Sequence, residues 1–154
     1  MASDWAERCY VALVLDTDAE YAEVISALSG VLARDPSNVP ALNHRGLAYL
    51  ETGRVAEAHA DFDAAVRLAI DDYLPLMVRG LTRERAGDAA GAIADYSKAI
   101  EIDPSRGPWV FRARQHESLG LKVEALADYE RAVELGNTRA ISDRDRLRGE
   151  IVLP

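Results

Sequence analysis

The chain has 154 residues, 49% of them hydrophobic, with a net charge of −8 and a pI near 4.9. That length suits one domain with a sizeable core, and the acidic balance disfavours a nucleic-acid backbone or an anionic bilayer as partner. Cys9 is the only cysteine, which excludes an internal disulfide and a thiolate metal cage. The longest apolar stretch, Cys9 to Leu15, is too short to span a bilayer, so a cytoplasmic protein is expected.

Residues 4–34 predict a helical pair. Cys9 falls among Trp5, Tyr10, Val11 and Leu13, where a thiol behaves as a small hydrophobe. Thr17 and Glu20 have capping-box spacing at the start of the second helix, which should stop at Asp35-Pro36. From Asn43 to about Leu50, and again from Val55 to Ile70, apolar or small residues return every three to four positions, the period of a helix with one buried stripe. Gly53-Arg54 interrupts them, and a glycine in the left-handed conformation there would end one helix and turn the chain into an antiparallel second. The same break recurs at Gly87-Asp88 and Leu119-Gly120-Leu121. Stop signals at Ile70-Asp71-Asp72, Asp103-Pro104-Ser105 and Gly136-Asn137 then delimit three hairpins, 39–72, 73–105 and 106–137. Residues 1–38 are expected to form an N-terminal helical cap or degenerate repeat. Residues 138–154 should form a capping helix and tail, with Ala140, Ile141 and Leu147 covering the last hairpin, the whole being one domain.

The hairpins share a pattern: Gly53, Ala58, Phe62, Ala65; then Gly87, Ala92, Tyr96, Ala99; then Gly120, Ala125, Tyr129, Ala132, at offsets of 34 and 33 residues. A fixed period in that range means a supersecondary unit stacked on copies of itself. Together with Leu42, Gly46 and Tyr49, with Gly80 and Pro104, and with Trp109 and Ala113, these residues resemble the tetratricopeptide repeat signature over about two-thirds of the chain. The resemblance implies an all-α, right-handed superhelical solenoid of antiparallel hairpins. Arg83 and His116 depart from it by standing where the family places an aromatic residue, and Arg45, Arg79 and Arg112 replace an aliphatic one.

Those three arginines each precede an aspartate by 16 residues: Arg45 and Asp61, Arg79 and Asp95, Arg112 and Asp128. Threefold repetition in register points to a structural guanidinium–carboxylate pair joining the two helices of each hairpin, because a catalytic site is seldom copied into every repeat. His44, His59 and His116 lack a second donor at ligand spacing, so no metal and no other cofactor is expected. Ser26, Ser29, Ser97, Ser118 and Ser142 have no flanking glycine elbow, and no glycine run forms a phosphate-cradling loop. The expected protein is therefore not an enzyme.

The family resemblance implies a concave groove lined by the first helix of each hairpin. Its candidate contact residues are Asn43, Leu47, Leu50 and Glu51; then Leu74, Met77, Leu81, Glu84 and Arg85; then Val110, Arg114, Glu117 and Ser118. Relatives that clasp a peptide carboxylate use lysine, asparagine and arginine there. Asn43 and Arg114 are present but these helices hold no lysine, so an extended or helical segment with apolar anchors, edged by Arg85 and Arg114, fits better. A protein or peptide partner is thus expected for a non-catalytic adaptor. Two alternatives stay open: a small secretion-type chaperone, and an inhibitor that meets a basic protein with the acidic front, where residues 1–38 carry seven acidic and two basic side chains. The groove is also open to self-occlusion, by the C-terminal Ile151-Val152-Leu153 or by a second copy in a homo-oligomer.

Overall fold

The computed structural model describes residues 18–152. The first cap helix with Cys9, the Thr17 cap and Leu153 lie outside them. Eight α-helices follow in order among the described residues: α1 (Asp18–Arg34), α2 (Val39–Glu51), α3 (Val55–Leu68), α4 (Tyr73–Arg85), α5 (Ala89–Ile102), α6 (Trp109–Ser118), α7 (Lys122–Glu134) and, after a single 3₁₀ turn at Thr138–Ala140, α8 (Ile141–Val152). The chain divides into two compact units between Ile70 and Asp71. In the first, α1 packs on α2 and α2 on α3; in the second, α4 packs on α5, α5 on α6, α6 on α7 and α7 on α8.

The expected glycine turns form. Gly53, Gly87 and Gly120 have φ of 72°, 80° and 75°, the left-handed region that costs glycine no Cβ clash. After α2, the Arg54 N–H donates to the Tyr49 carbonyl at 2.7 Å and the Gly53 N–H to Leu50 at 3.1 Å, so two carbonyls that the helix end would orphan are satisfied. The linkers before α2 and α6 are built alike. Asp35 Oδ1 accepts from the Ser37 amide and hydroxyl, and Asp103 Oδ1 accepts from the Ser105 amide and hydroxyl at 3.0 and 2.6 Å. These hydroxyl bonds, ahead of the backbone ones, hold both carboxyls below the usual aspartate range.

Each hairpin buries one aromatic ring between small residues: Phe62 between Ala58 and Ala65, Tyr96 between Ala92 and Ala99, Tyr129 between Ala125 and Ala132. The rings lie so close to the first helices that a Cβ added at Gly46 would sit 2.6 Å from Phe62 Cε1, and one at Gly80 2.5 Å from Tyr96 Cε1. In the third hairpin this position is Ala113, itself fully buried. The 3₁₀ turn and helix α8 bring Ala140 and Leu147 into one cluster with Ala113, Ala125, Tyr129 and Ala132, so the end of the second unit is closed by apolar packing.

Candidate protein-binding site

The recurrent arginines and aspartates do bridge their hairpins. Arg45 Nε and Nη2 donate to the two Asp61 oxygens at 2.8 and 2.6 Å, and Arg79–Asp95 and Arg112–Asp128 repeat this fork at 2.9 and 2.6 Å. The third guanidinium nitrogen reaches back to the preceding helix: Arg45 Nη1 to Ser29 Oγ at 3.1 Å, Arg112 Nη1 to Ser97 Oγ at 2.9 Å. The two departures from the family's aromatic position serve the same carboxylates. Arg83 meets Asp95 at 2.9 Å and His116 Nδ1 lies 3.1 Å from Asp128. Tyr49 keeps the aromatic there and lies under Arg54 and Arg45, 4.4 and 5.6 Å from its centroid. These charges are occupied in holding helices together.

Two of the candidate contact glutamates are also engaged within the fold. The Tyr96 hydroxyl donates to Glu84 at 2.8 Å and the Tyr129 hydroxyl to Glu117 at 2.8 Å. Burial first, then the glutamate, pushes both hydroxyls well above the usual tyrosine range. Glu117 also takes Arg146 of α8 at 2.8 Å. In the first hairpin the ring is Phe62, and the position corresponding to Glu84 and Glu117 is Leu50, which is buried. The hydroxyl and its acceptor are present together or absent together.

Leu50 and Asn43 are thus placed inside the first unit, where Asn43 Oδ1 has no hydrogen-bond partner; Leu47 beside them is half-buried. In the second unit Leu74, Met77, Leu81 and Val110 are half-buried, Glu117 is half-buried, and Arg85 and Arg114 are exposed. Of these, Met77 and Val110 line a common cleft of about 200 Å³ with Ser105 to Phe111, Ala132, Leu135 and Asn137. The linker residues and Leu135 are the part that spacing on the first helices did not reveal. Trp109 Nε1 donates to the Pro104 carbonyl at 2.9 Å, and Gly107 lies where a Cβ would come within 2.5 Å of Ile100 Cγ1, so the linker is drawn tightly against α5. The C-terminal helix packs on α7, tied by Arg148 to Glu130 and by Glu150 to Lys122 at 2.6 and 2.8 Å. Among the described residues no group of three His, Cys, Asp or Glu side chains is arranged to hold a metal, and no helix is long and apolar enough to cross a membrane.

Antiparallel hairpins repeated at 33–34 residues, each with a buried ring set against small residues, define a helical-repeat protein. Two family models, both described as tetratricopeptide repeat, match residues 12–75 and 76–106, together more than half of the 154 residues. The chain belongs to the tetratricopeptide repeat family. Solved structures agree in fold. The crystal structure of MamA aligns with TM-score 0.78 at 19% identity, covering 92% of this chain and 88% of that one. The first TPR of Spaghetti (RPAP3) bound to the HSP90 peptide SRMEEVD aligns with TM-score 0.69 at 22% identity, covering 76% and 95%. The Arabidopsis OM64 TPR domain aligns with TM-score 0.67 at 23% identity, covering 73% and 95%. No curated protein sequence matches the chain.

Proposed function

We propose that this chain is a non-catalytic adaptor that holds a segment of a partner protein against the faces of α4 and α6. The observation that carries the reading is the cleft: Met77 and Val110, from the first helices of successive hairpins, wall one recess together with polar linker residues. Its size suits a side chain of a bound segment better than a small-molecule ligand, whose pockets run to about 300–1,000 Å³. The RPAP3 domain bound to an HSP90 peptide supports a peptide partner for the same fold. In this reading the repeats are 39–72, 73–105 and 106–137, residues 1–38 form an N-terminal helical cap or degenerate repeat, residues 138–154 form a capping helix and tail, and the protein works in the cytoplasm.

The test is affinity capture from the native lysate with the wild-type chain and with Met77→Glu, each checked for helicity by circular dichroism. A partner held by the wild type and lost from a still-helical variant is the expected result. Retention on both overturns the reading and favours recognition by the acidic first unit, as an inhibitor of a basic protein would use.

A further inference from the structure

We infer that the tip of the third hairpin, where Leu119, Leu121 and Val123 are exposed beside α8, is the surface on which two copies of this chain pair about a twofold axis; this goes beyond the adaptor reading and uses none of the cleft residues. The three side chains are 50%, 40% and 66% exposed and fall within residues 119–123. Large aliphatic groups exposed singly are ordinary, whereas neighbours of this kind mark contact surfaces. Glu150 of α8 meets Lys122 at 2.8 Å, and the next residue of α8, Ile151, is exposed as well. The tips of the other two hairpins are built differently. At the same three positions the first has Thr52, Arg54 and Ala56, and the second Ala86, Asp88 and Ala90. Asp88 caps its helix by accepting from the Gly91 amide at 2.9 Å, and Arg54 is engaged with Glu57 and the Tyr49 ring. Leu121 stands at the N-cap of α7 and makes no cap bond, so this hairpin forgoes a contact that a short polar residue would supply. A local rule broken with no gain inside the fold points to a surface kept for another molecule.

Charge identifies that molecule as a second copy. Lys122 sits between Leu121 and Val123, and Glu124 follows, so the patch carries both signs side by side and matches its own rotated image, in which lysine faces carboxylate. A partner of one sign would meet a like charge here. Long-range repulsion between copies is also small at this end. Residues 71–154 carry 13 basic and 15 acidic side chains, whereas residues 1–70 carry 5 and 11, so the negative excess belongs to the first unit. The turn is pre-formed, its Gly120 and Leu121 amides donating to the Glu117 and His116 carbonyls at 2.9 and 2.8 Å, which lowers the ordering cost of association. A strong dimer buries about 800 Å² per partner. Four aliphatic side chains and their ionic rim supply less, so the pairing belongs to the micromolar range. Two clefts brought together in this way strengthen the hold on a partner that offers two segments.

The test is sedimentation velocity of the full-length chain over about 1–300 μM, a range set by the micromolar expectation, in reducing buffer that keeps Cys9 from linking copies. The expected result is a concentration-dependent equilibrium of monomer and dimer that Val123→Glu and Leu121→Asp each weaken at least about tenfold. Leu121→Asp supplies the missing cap, so its melting temperature should stay level or rise, which separates lost pairing from lost folding. A wild-type chain that stays monomeric throughout, or a dimer indifferent to both substitutions, overturns the inference. Neither residue lines the cleft, so either result leaves the adaptor reading to its own test.

Discussion

The first hairpin (α2 and α3) and the third (α6 and α7) share a skeleton but satisfy their buried groups differently. In the first, Asp61 is forked by Arg45, the ring is an apolar Phe62, and the position equivalent to Glu117 is the buried Leu50. In the third, Asp128 has Arg112 and also His116, while Tyr129 adds a hydroxyl that Glu117 accepts. Repeat geometry therefore fixes where polar groups must sit, while each hairpin chooses how many partners satisfy them. A change at one position is tolerated when its partner changes with it.

The largest difference should come from the arginines. Arg45→Ala strands a buried carboxylate and should cost about 3 kcal/mol, whereas Arg112→Ala leaves His116 on Asp128 and should cost about 1–2 kcal/mol. Both arginines also lose one serine contact, so urea unfolding of the two variants compares like with like; equal losses would break the comparison. Next come the exchanged rings. Phe62→Tyr buries a hydroxyl in a hairpin whose position equivalent to Glu117 is Leu50, and should cost about 1–3 kcal/mol, and Tyr129→Phe, which leaves Glu117 still paired with Arg146, about 1 kcal/mol. At the small position, Gly46→Ala drives a Cβ into Phe62, and overpacking of about 1–3 kcal/mol should outweigh the gain in helix propensity of about 1 kcal/mol. Ala113→Gly should lose about 1 kcal/mol with no clash relieved.

The smallest effect is one of pH. Burial, only partly offset by the Pro40 backbone hydrogen bond, pushes the His44 imidazole below its ordinary value. The unfolded chain then binds the proton more readily than the folded one, so His44 costs nothing above its unfolded value and destabilises as pH falls through it toward the folded value. Denaturation midpoints measured from about pH 7.5 to pH 5 should fall, and His44→Gln should reduce that slope.

Periodicity made the hairpins legible, and the 16-residue spacing made the Arg–Asp forks legible, because both are set by helix geometry that each repeat copies. The Tyr–Glu pairs were equally periodic, at 12 residues, but their glutamates fall on first-helix positions that the family resemblance assigns to a groove. Leu50 and Asn43 were placed in that groove for the same reason, and both are buried. The cleft was half legible. Met77 and Val110 follow from the family resemblance, whereas Arg106 joins them because Gly107 and the Trp109–Pro104 bond fold the linker against α5, a tertiary event with no period of its own.

The central claim, that a partner segment is held by α4 and α6, is tested most directly by hydrogen–deuterium exchange of the chain alone and bound to its captured partner. Protection concentrated in residues 73–85 and 104–118 is the expected result. Protection confined to α1, α2 and α3 would contradict it and move recognition to the acidic first unit.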